Sequence, residues 1–295
     1  MKNQITPCLW FDNQAEEAAG FYTSLFRNSK IENISRYGKE GFEIHGQKEG
    51  TALTVEFQLN GQSFTALNGG PHFKFNPSIS IYVVCDTEKE VDFLWENLSE
   101  SGSVMMALDK YDWSERYGWL NDRYGLSWQI SLGKIEHTVQ MFSPALMFKG
   151  IQHHLAEEAV YYYTSLFPDS LVKHILRYVE GENDTAGTVK HAQFTLRNQT
   201  FMIMGSSFPH QFEFNEAISF QVFCDTQDQI DYYWNKLTEG GSEGQCGWLK
   251  DKYSVSWQIV PSILGELMSN PEKAGNVMLA FLKMKKFDIQ KLIEA

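Results

Sequence analysis

Residues 1–135 recur, loosely rewritten, at 141–262, and this duplication constrains the fold more than any other feature of the chain. Ala-Glu-Glu-Ala at 15–18 returns at 156–159, and Tyr-Thr-Ser-Leu-Phe at 22–26 returns at 163–167. Cys-Asp-Thr at 85–87 returns at 224–226, Gly-Trp-Leu at 118–120 at 247–249, and Ser-Trp-Gln-Ile at 127–130 at 256–259. Matched blocks in one order mean two copies of one structural unit, each long enough to bury a core. What the copies share is scaffold or a common site, and where they differ is where they have room to diverge in role. Three segments are expected: a first domain over 1–135, a second over 141–262, and an extension over 263–295.

Composition removes several classes of function. A hydrophobic content of 43% with 14% aromatic residues belongs to a globular chain. No apolar run is long enough to span a bilayer, and the first residues lack the apolar stretch of a signal peptide, so a cytoplasmic protein without a membrane partner is expected. A formal net charge of −12 argues against nucleic acid, whose phosphates require clustered Lys and Arg. The four cysteines form no Cys-x-x-Cys pair, and Cys85 and Cys224 occupy equivalent apolar runs, as buried free thiols do.

Periodicity divides each copy again. Ile5–Phe11 reads as a strand, Asn13 with Glu16 as a capping box, and Ala18, Tyr22, Leu25 and Phe26 as one helical face. Strands over 31–37, 52–59 and 63–67 follow, the last two joined by the hairpin signal Asn60-Gly61. The pattern restarts with a strand over 78–85, a capping box at Thr87 and Glu90, and a helical stripe at Val91, Leu94, Trp95 and Leu98. Strands over 117–120 and 127–131 close it. Each copy is therefore two β-α-β-β-β-like modules, the second the less regular, and copy two repeats the plan. Residues 132–143 are the linker, and Asn270 with Pro271 signals the start of a C-terminal helix.

The opening Ile-Thr-Pro-Cys-Leu-Trp-Phe-Asp with Ala-Glu-Glu-Ala and Phe-Tyr-Thr-Ser-Leu-Phe resembles the PhnB-like branch of the vicinal-oxygen-chelate superfamily, which includes glyoxalase I and bleomycin-resistance proteins. So do Tyr-Gly-Trp-Leu-Asn-Asp-Arg-Tyr-Gly-Leu-Ser-Trp-Gln-Ile and its counterpart at 246–261. The resemblance covers nearly the whole chain. It implies an α+β fold of tandem glyoxalase-like domains, each two βαβββ modules forming a curved sheet around a cleft, with helices outside and an extra C-terminal helix. Members of the branch are often labelled 3-demethylubiquinone-9 3-methyltransferase. The chain shows no glycine-rich strand-to-helix turn of the kind that seats a nucleotide-like cofactor, and no cofactor is expected.

The resemblance also implies where a metal would sit. Metal-dependent relatives place His or Gln early in each module's first strand and Glu late in its last, a set suited to Zn, Ni, Fe or Mn. Here Gln129 and Gln258 take the late-Glu positions, Ile5, Thr6 and Pro7 or Ser78, Ile79 and Ser80 the early ones, and Leu67-Asn68 and Met204-Gly205 supply no carboxylate. No bound catalytic metal is expected.

The candidate site residues each have an ordinary alternative. Gln129 and Gln258 either bond a ligand or satisfy neighbouring backbone. Glu56, matched by Gln193 in copy two, is a general base if it lies in an apolar cleft and an ordinary surface carboxylate if it faces solvent. His72 and His210, in equivalent loops, are rim acids or bases, or plain loop residues. Ser80 offers a hydroxyl to a ligand or to the sheet. Trp10, replaced by Met147 in copy two, reads as a pocket wall or as core. Sixteen residues separate Gly102 from Trp119 but six separate Gly241 from Trp248, and the extra stretch, with Trp113, reads as a lid or as glue between domains.

Three functions remain open: binding of a small, largely apolar or aromatic ligand in a metal-free cleft; a metal-independent isomerase or lyase with Glu56 as base; and a metal-dependent glyoxalase-like enzyme. Since single-copy relatives pair, the fused chain is expected to be its own pseudo-dimer and a monomer in solution.

Overall fold

The computed structural model describes residues 4–270 and 272–295. In chain order the elements are β1 (Ile5–Phe11), α1 (Ala15–Leu25), β2 (Lys30–Arg36), α2 (Phe42–His45), β3 (Ala52–Leu59), β4 (Gln62–Asn68), β5 (Ile79–Cys85), α3 (Glu88–Ser99), β6 (Ser103–Tyr111), β7 (Ser114–Asn121), β8 (Ser127–Leu132) and α4 (Ile135–Thr138). Copy two supplies β9 (Phe142–Lys149), α5 (Ala156–Leu166), β10 (Leu171–Arg177), β11 (Val189–Leu196), β12 (Gln199–Ser206), β13 (Ile218–Cys224), α6 (Gln227–Thr238), β14 (Ser242–Glu243), β15 (Trp248–Lys250) and β16 (Ser256–Pro261). The extension carries α7 (Leu264–Ser269), α8 (Ala274–Phe281) and α9 (Ile289–Ile293).

The four modules pair across the copies. One eight-stranded sheet runs β14-β15-β16-β13-β1-β4-β3-β2, the other β10-β11-β12-β9-β5-β8-β7-β6. The first compact unit therefore holds the residues up to Lys74 with 214–295, and the second holds 75–213. Each sheet joins one module from each copy at an antiparallel seam, β1 with β13 and β5 with β9. The expectation that residues 1–135 and 141–262 would each close a sheet of their own is corrected here. The sequence copy and the compact unit are different divisions of the chain. The reason is that a module's first strand leaves one edge unpaired, and a duplicated chain can satisfy that edge with a module from either copy.

Helices cover one face of each sheet. In the first unit, Tyr22 of α1 stacks on Phe57 at 6.4 Å, and Phe57 on Phe64 at 5.6 Å. In the second, Tyr163 of α5 stacks on Phe194 at 6.5 Å, and Phe194 on Phe201 at 6.0 Å. Since strand side chains alternate, the neighbours Glu56 and Gln193 stand on the opposite, helix-free face. That face is concave in both units. Trp10 of β1 meets Trp248 of β15 at 5.7 Å although β13 and β16 lie between their strands; in a flat sheet those strands would stand about 14 Å apart. Met147 of β9 packs with Trp119 of β7 in the same way, across β5 and β8.

Local details differ from expectation in physically clear ways. The capping box at Asn13 does not form. Helix α1 begins at Ala15, whose N–H donates to Asn68 Oδ1 of β4 at 2.9 Å, so a buried side chain distant in sequence does the capping. At Thr87 the expected box is present, Thr87 Oγ1 accepting from Glu90 N–H. Asn60 and Gly61 both have positive φ, 46° and 77°, as a two-residue hairpin turn requires. The stretch read as a long loop is the hairpin β6–β7. The linker contains the short helix α4, and its last residues belong to β9. The C-terminal extension is three short helices rather than one. Helix α8 starts at Ala274, and Pro271 of the expected start lies outside the described residues.

Candidate functional site

Two buried aspartates anchor the strands that carry the key amides. Asp122 accepts from Tyr124 N–H, Leu126 N–H and Trp128 Nε1–H at 2.8, 3.0 and 2.8 Å. Asp251 repeats the arrangement with Tyr253, Val255 and Trp257 at 2.9, 3.0 and 2.9 Å. Each tryptophan thus faces the helices. The next residue, Gln129 or Gln258, is turned by the strand alternation onto the concave face.

In both units that amide bonds a serine on the neighbouring strand. Gln129 Nε2 donates to Ser80 Oγ at 2.7 Å and Gln258 Nε2 to Ser219 Oγ at 2.8 Å. The remaining partners diverge. Gln129 Oε1 accepts from the buried Tyr117 hydroxyl at 2.7 Å. Gln258 Oε1 accepts from Gln221 at 3.3 Å, and Gln221 Oε1 from Thr65 Oγ1 at 2.8 Å. Ser80, Gln129, Ser219 and Gln258 are all buried, so the hydrogen bonds of these serine–glutamine pairs are made largely within the protein.

The first unit gathers Trp10, Glu56, Gln258 and His72. Trp10 is fixed by its Nε1–H, which donates to Gly70 O at 2.8 Å, and by edge contacts with Phe73 and Trp248 at 4.9 and 5.7 Å. Gly69 has no side chain because any Cβ would lie 2.1 Å from the Trp10 ring. Thr65 is the cross-strand partner of Cys8 on one side and of Glu56 on the other, which sets a polar row across the concave face. Burial raises the Cys8 thiol to about 11, opposed by hydrogen bonds from Gln258 and Ser219, so it stays protonated and inert near neutral pH. Glu56 is exposed at the residue level, yet partial desolvation raises its carboxyl, with repulsion from Glu32 adding to the effect. His72 lies in the loop beside Phe73, 6.5 Å from its ring.

The C-terminal extension belongs to this unit. Cys246 N–H donates to Met284 O at 2.7 Å, Gly247 N–H to Lys285 O at 2.8 Å, and Gln227 holds both Phe287 O and Ile289 N–H at 3.0 Å. The extension packs against the short β14–β15 hairpin, at the place where the longer β6–β7 hairpin stands in the other unit.

The second unit gathers Ser80, Gln129, Trp113, Gln193 and His210. Glu56 and Trp10 belong to the same copy as Gln129 but lie in the other unit. The centre of the second unit is apolar. Tyr117, Trp119 and Met147 are buried together, with Tyr82, Met106, Tyr111, Met204 and Phe212 packed against them. Desolvation pushes the Tyr117 hydroxyl up, as do Tyr82 and Tyr111. The hairpin tip covers this group: Trp113 is 59% exposed, stacks on Tyr111 at 5.0 Å and meets the Tyr117 edge at 5.7 Å. Arg116 ties the hairpin to α3 through Asp92. His210 stacks on Phe212 at 5.1 Å and shares a 3.0 Å hydrogen bond with Ser206 Oγ. Burial and Lys149 depress its pKa, partly offset by Asp184.

Sequence reasoning missed Tyr82, which lies on the same module as Tyr117; Met204 and Phe212, which reach the group through the exchange of modules; and the pair His174 and His191 on β10 and β11. The His rings stack at 5.6 Å.

The donors present do not suit a hard divalent cation. Among the described residues no three His, Cys, Asp or Glu side chains come together in a metal-binding arrangement. The late-strand positions carry the neutral amides Gln129 and Gln258, each bonded to a serine hydroxyl. The turns before α1 and α3, residues 12–14 and 86–87, contain no glycine to admit a nucleotide-like cofactor.

Comparison with known proteins agrees with this architecture. The PhnB protein from Bacillus cereus is 44% identical over 44% of this chain and 99% of its own, with a TM-score of 0.41. A Staphylococcus aureus protein is 31% identical over 45% of this chain and all of its own, with a TM-score of 0.19. Glyoxalase I from Zea mays covers 91% of this chain and 96% of its own at 9% identity and a TM-score of 0.56, a likeness of fold alone. No curated protein matches. A family model described as 3-demethylubiquinone-9 3-methyltransferase matches residues 3–131 and 140–260, most of both copies, and the chain belongs to that PhnB-like family.

Proposed function

We propose that this chain binds a small, largely apolar or aromatic molecule on the concave face of its second unit, without a metal ion. The observation that carries the reading is the convergence of Tyr117, Trp119, Met147, Met204, Tyr82 and Phe212 around a single satisfied amide, Gln129, beneath a hairpin that lays Tyr111 over them. Ligand sites are concave and mostly apolar, with few polar groups. Thioether side chains adapt to a ligand's shape at little cost. The first unit carries the polar row of Cys8, Thr65, Gln221 and Gln258 at the equivalent place, and it is the less suitable receptacle. Since each sheet already joins two modules, the active species is a monomeric chain, with the pairing of single-copy relatives built in.

The test is titration with 2-ethylnaphthalene, read by intrinsic fluorescence and native mass spectrometry. One equivalent is expected to bind, and EDTA dialysis to leave affinity within twofold. Met147→Trp installs the residue that copy one carries at that position and fills the concavity, so binding should weaken at least tenfold. Affinity unchanged in Met147→Trp, or lost with EDTA and restored by a divalent ion, would overturn the reading.

A further inference from the structure

A buried side-chain donor on the concave face of the second unit lacks a hydrogen-bond partner among the described residues. Gln193 of β11 is nine-tenths buried, and its Nε2 makes no hydrogen bond among the described residues. A buried N–H without an acceptor is costly unless something outside the chain supplies one. Its position is well defined. The helix-facing stack of Tyr163, Phe194 and Phe201 puts Phe194 on one face, which leaves Gln193 on the concave one. Across the strands Gln193 pairs with Met202, Met202 with Ala145 and Ala145 with Ser80, so the unpartnered amide lies two strands, about 10 Å, from the β9 seam that carries Met147.

Two imidazoles flank that amide. His174 is the cross-strand partner of Gln193 on β10, and His191 lies two residues along β11 on the same face, one step beyond the Ala192–Ile203 pair and so opposite Met204. The two rings stack at 5.6 Å. Burial, with His174 beside it, lowers His191 to about 4, so at neutral pH it is an uncharged ring with one N–H to donate. Gln193 and His191 therefore offer neutral donors. Placing a carboxylate against them would desolvate a charge without compensation, whereas an uncharged oxygen acceptor is matched.

We infer that the His174–Gln193–His191 row is the polar end of the second unit's ligand site and takes the carbonyl oxygen of an uncharged aromatic ketone, aldehyde or ester. The ligand's aromatic body lies along Met204 and Met147 toward Trp119, and its carbonyl receives the Gln193 N–H. This rests on the proposed apolar site and adds to it the class of ligand. The first unit is an internal control. Its residues at the corresponding positions are Asn33, Glu56 and Thr54, a set with a carboxylate in place of the amide, which would repel the same oxygen.

The experiment compares 2-acetylnaphthalene with 2-ethylnaphthalene, which share the naphthalene body and the two-carbon chain and differ by the carbonyl oxygen. Dissociation constants are measured by fluorescence titration for the unaltered chain, Gln193→Leu and Gln193→Glu. The ratio of ketone to hydrocarbon affinity should fall at least tenfold in both variants, with the hydrocarbon itself held within threefold. Circular dichroism and unfolding curves confirm that the variants fold, and Gln193→Glu is the backup because copy one already carries that residue. A ratio unchanged within twofold in a folded variant overturns this inference while leaving the apolar site standing. If neither compound binds, the apolar site fails and the inference falls with it.

Discussion

Asp122 and Trp128 allow the anchoring of the amide-bearing strand to be tested with a closed thermodynamic cycle. Both oxygens of the buried carboxylate are in use: Oδ1 accepts the Tyr124 and Leu126 N–H groups, and Oδ2 accepts the Trp128 indole N–H at 2.8 Å. Asp122→Asn keeps the two backbone bonds on its single oxygen but turns an NH2 toward the indole N–H, so one charge-assisted bond is lost and two donors oppose each other. Bonds to charged acceptors contribute about 1.5–3 kcal/mol, so the single substitution should destabilise the second unit by about 2–3 kcal/mol. Trp128→Phe removes the indole N–H and leaves a carboxylate oxygen short of a partner, for about 2–4 kcal/mol including lost packing. In the double variant the opposition between donors disappears. Its cost should fall below the sum of the singles by about 1–2 kcal/mol, well outside the 0.3–0.5 kcal/mol scatter of independent sites. Urea unfolding followed by tryptophan fluorescence measures all four corners, and Asp251→Asn with Trp257→Phe repeats the cycle in the first unit. Additive costs in both cycles would refute the claim that the aspartate–indole bond orders the turn, and with it the account of how Gln129 and Gln258 are placed.

Glu56→Gln should leave 2-ethylnaphthalene affinity within twofold, because Glu56 lies in the first unit and the apolar group in the second; a tenfold loss in the titration would relocate the site. Asn68→Ala removes the cap on Ala15 N–H and leaves Ala52 O without the Asn68 Nδ2 donor, so urea unfolding should show a loss of about 2–3 kcal/mol. His191 is held neutral with its pKa lowered to about 4 from the unfolded 6.5, so the unfolded chain binds its proton first as pH falls. Stability from this group is complete above about pH 6.5 and is lost between there and about pH 4, by at most about 3 kcal/mol. His191→Gln should flatten that part of the stability–pH curve, and an unchanged slope would show that the ring is already solvated.

The modules were legible because their signals are local. Alternation in β1, β3 and β11, the Asn60-Gly61 turn and the Thr87 box each depend on residues within a few positions, and the structure keeps them within a residue or two. The cap on α1 was not legible, since Asn68 is fifty-three residues from Ala15 and nothing in the sequence near Asn13 excludes the local box. Module pairing was not legible either. The two copies are alike at the seam, so hydrophobic pattern alone does not say whether β1 meets the β5 module of its own copy or the β13 module of the other. Nothing in the sequence therefore separates Glu56 from Gln129, which belong to one copy but to different units. The hairpin β6–β7 carries no clear strand signal because its register slips three times between Val104 and Tyr111, which breaks the period-two pattern.

Exchange of modules also explains how two such similar copies can carry such different faces. Had each copy closed its own sheet, the ten extra residues of the β6–β7 hairpin and the C-terminal extension could have served copy one and copy two separately, and each face would have been lined from one copy alone. With the exchange, a change in either copy reaches both units. Replacement of Trp10 by Met147 opens the second unit opposite Trp119, a residue of the other copy, while Trp10 closes the first unit against Trp248. Gln129 Nε2 is committed to Ser80, and its Oε1 accepts from the Tyr117 hydroxyl where Gln258 Oε1 accepts from Gln221, so the amide is satisfied on both atoms and surrounded by aromatic surface. The donor left over is then Gln193, two strands beyond the seam and contributed by copy two. The concave face of the second unit thus takes Tyr117 and Trp119 from copy one and Met147, Met204 and Gln193 from copy two, a lining that neither copy could assemble alone, and this gives the duplicated chain a physical reason to keep its two halves in one polypeptide.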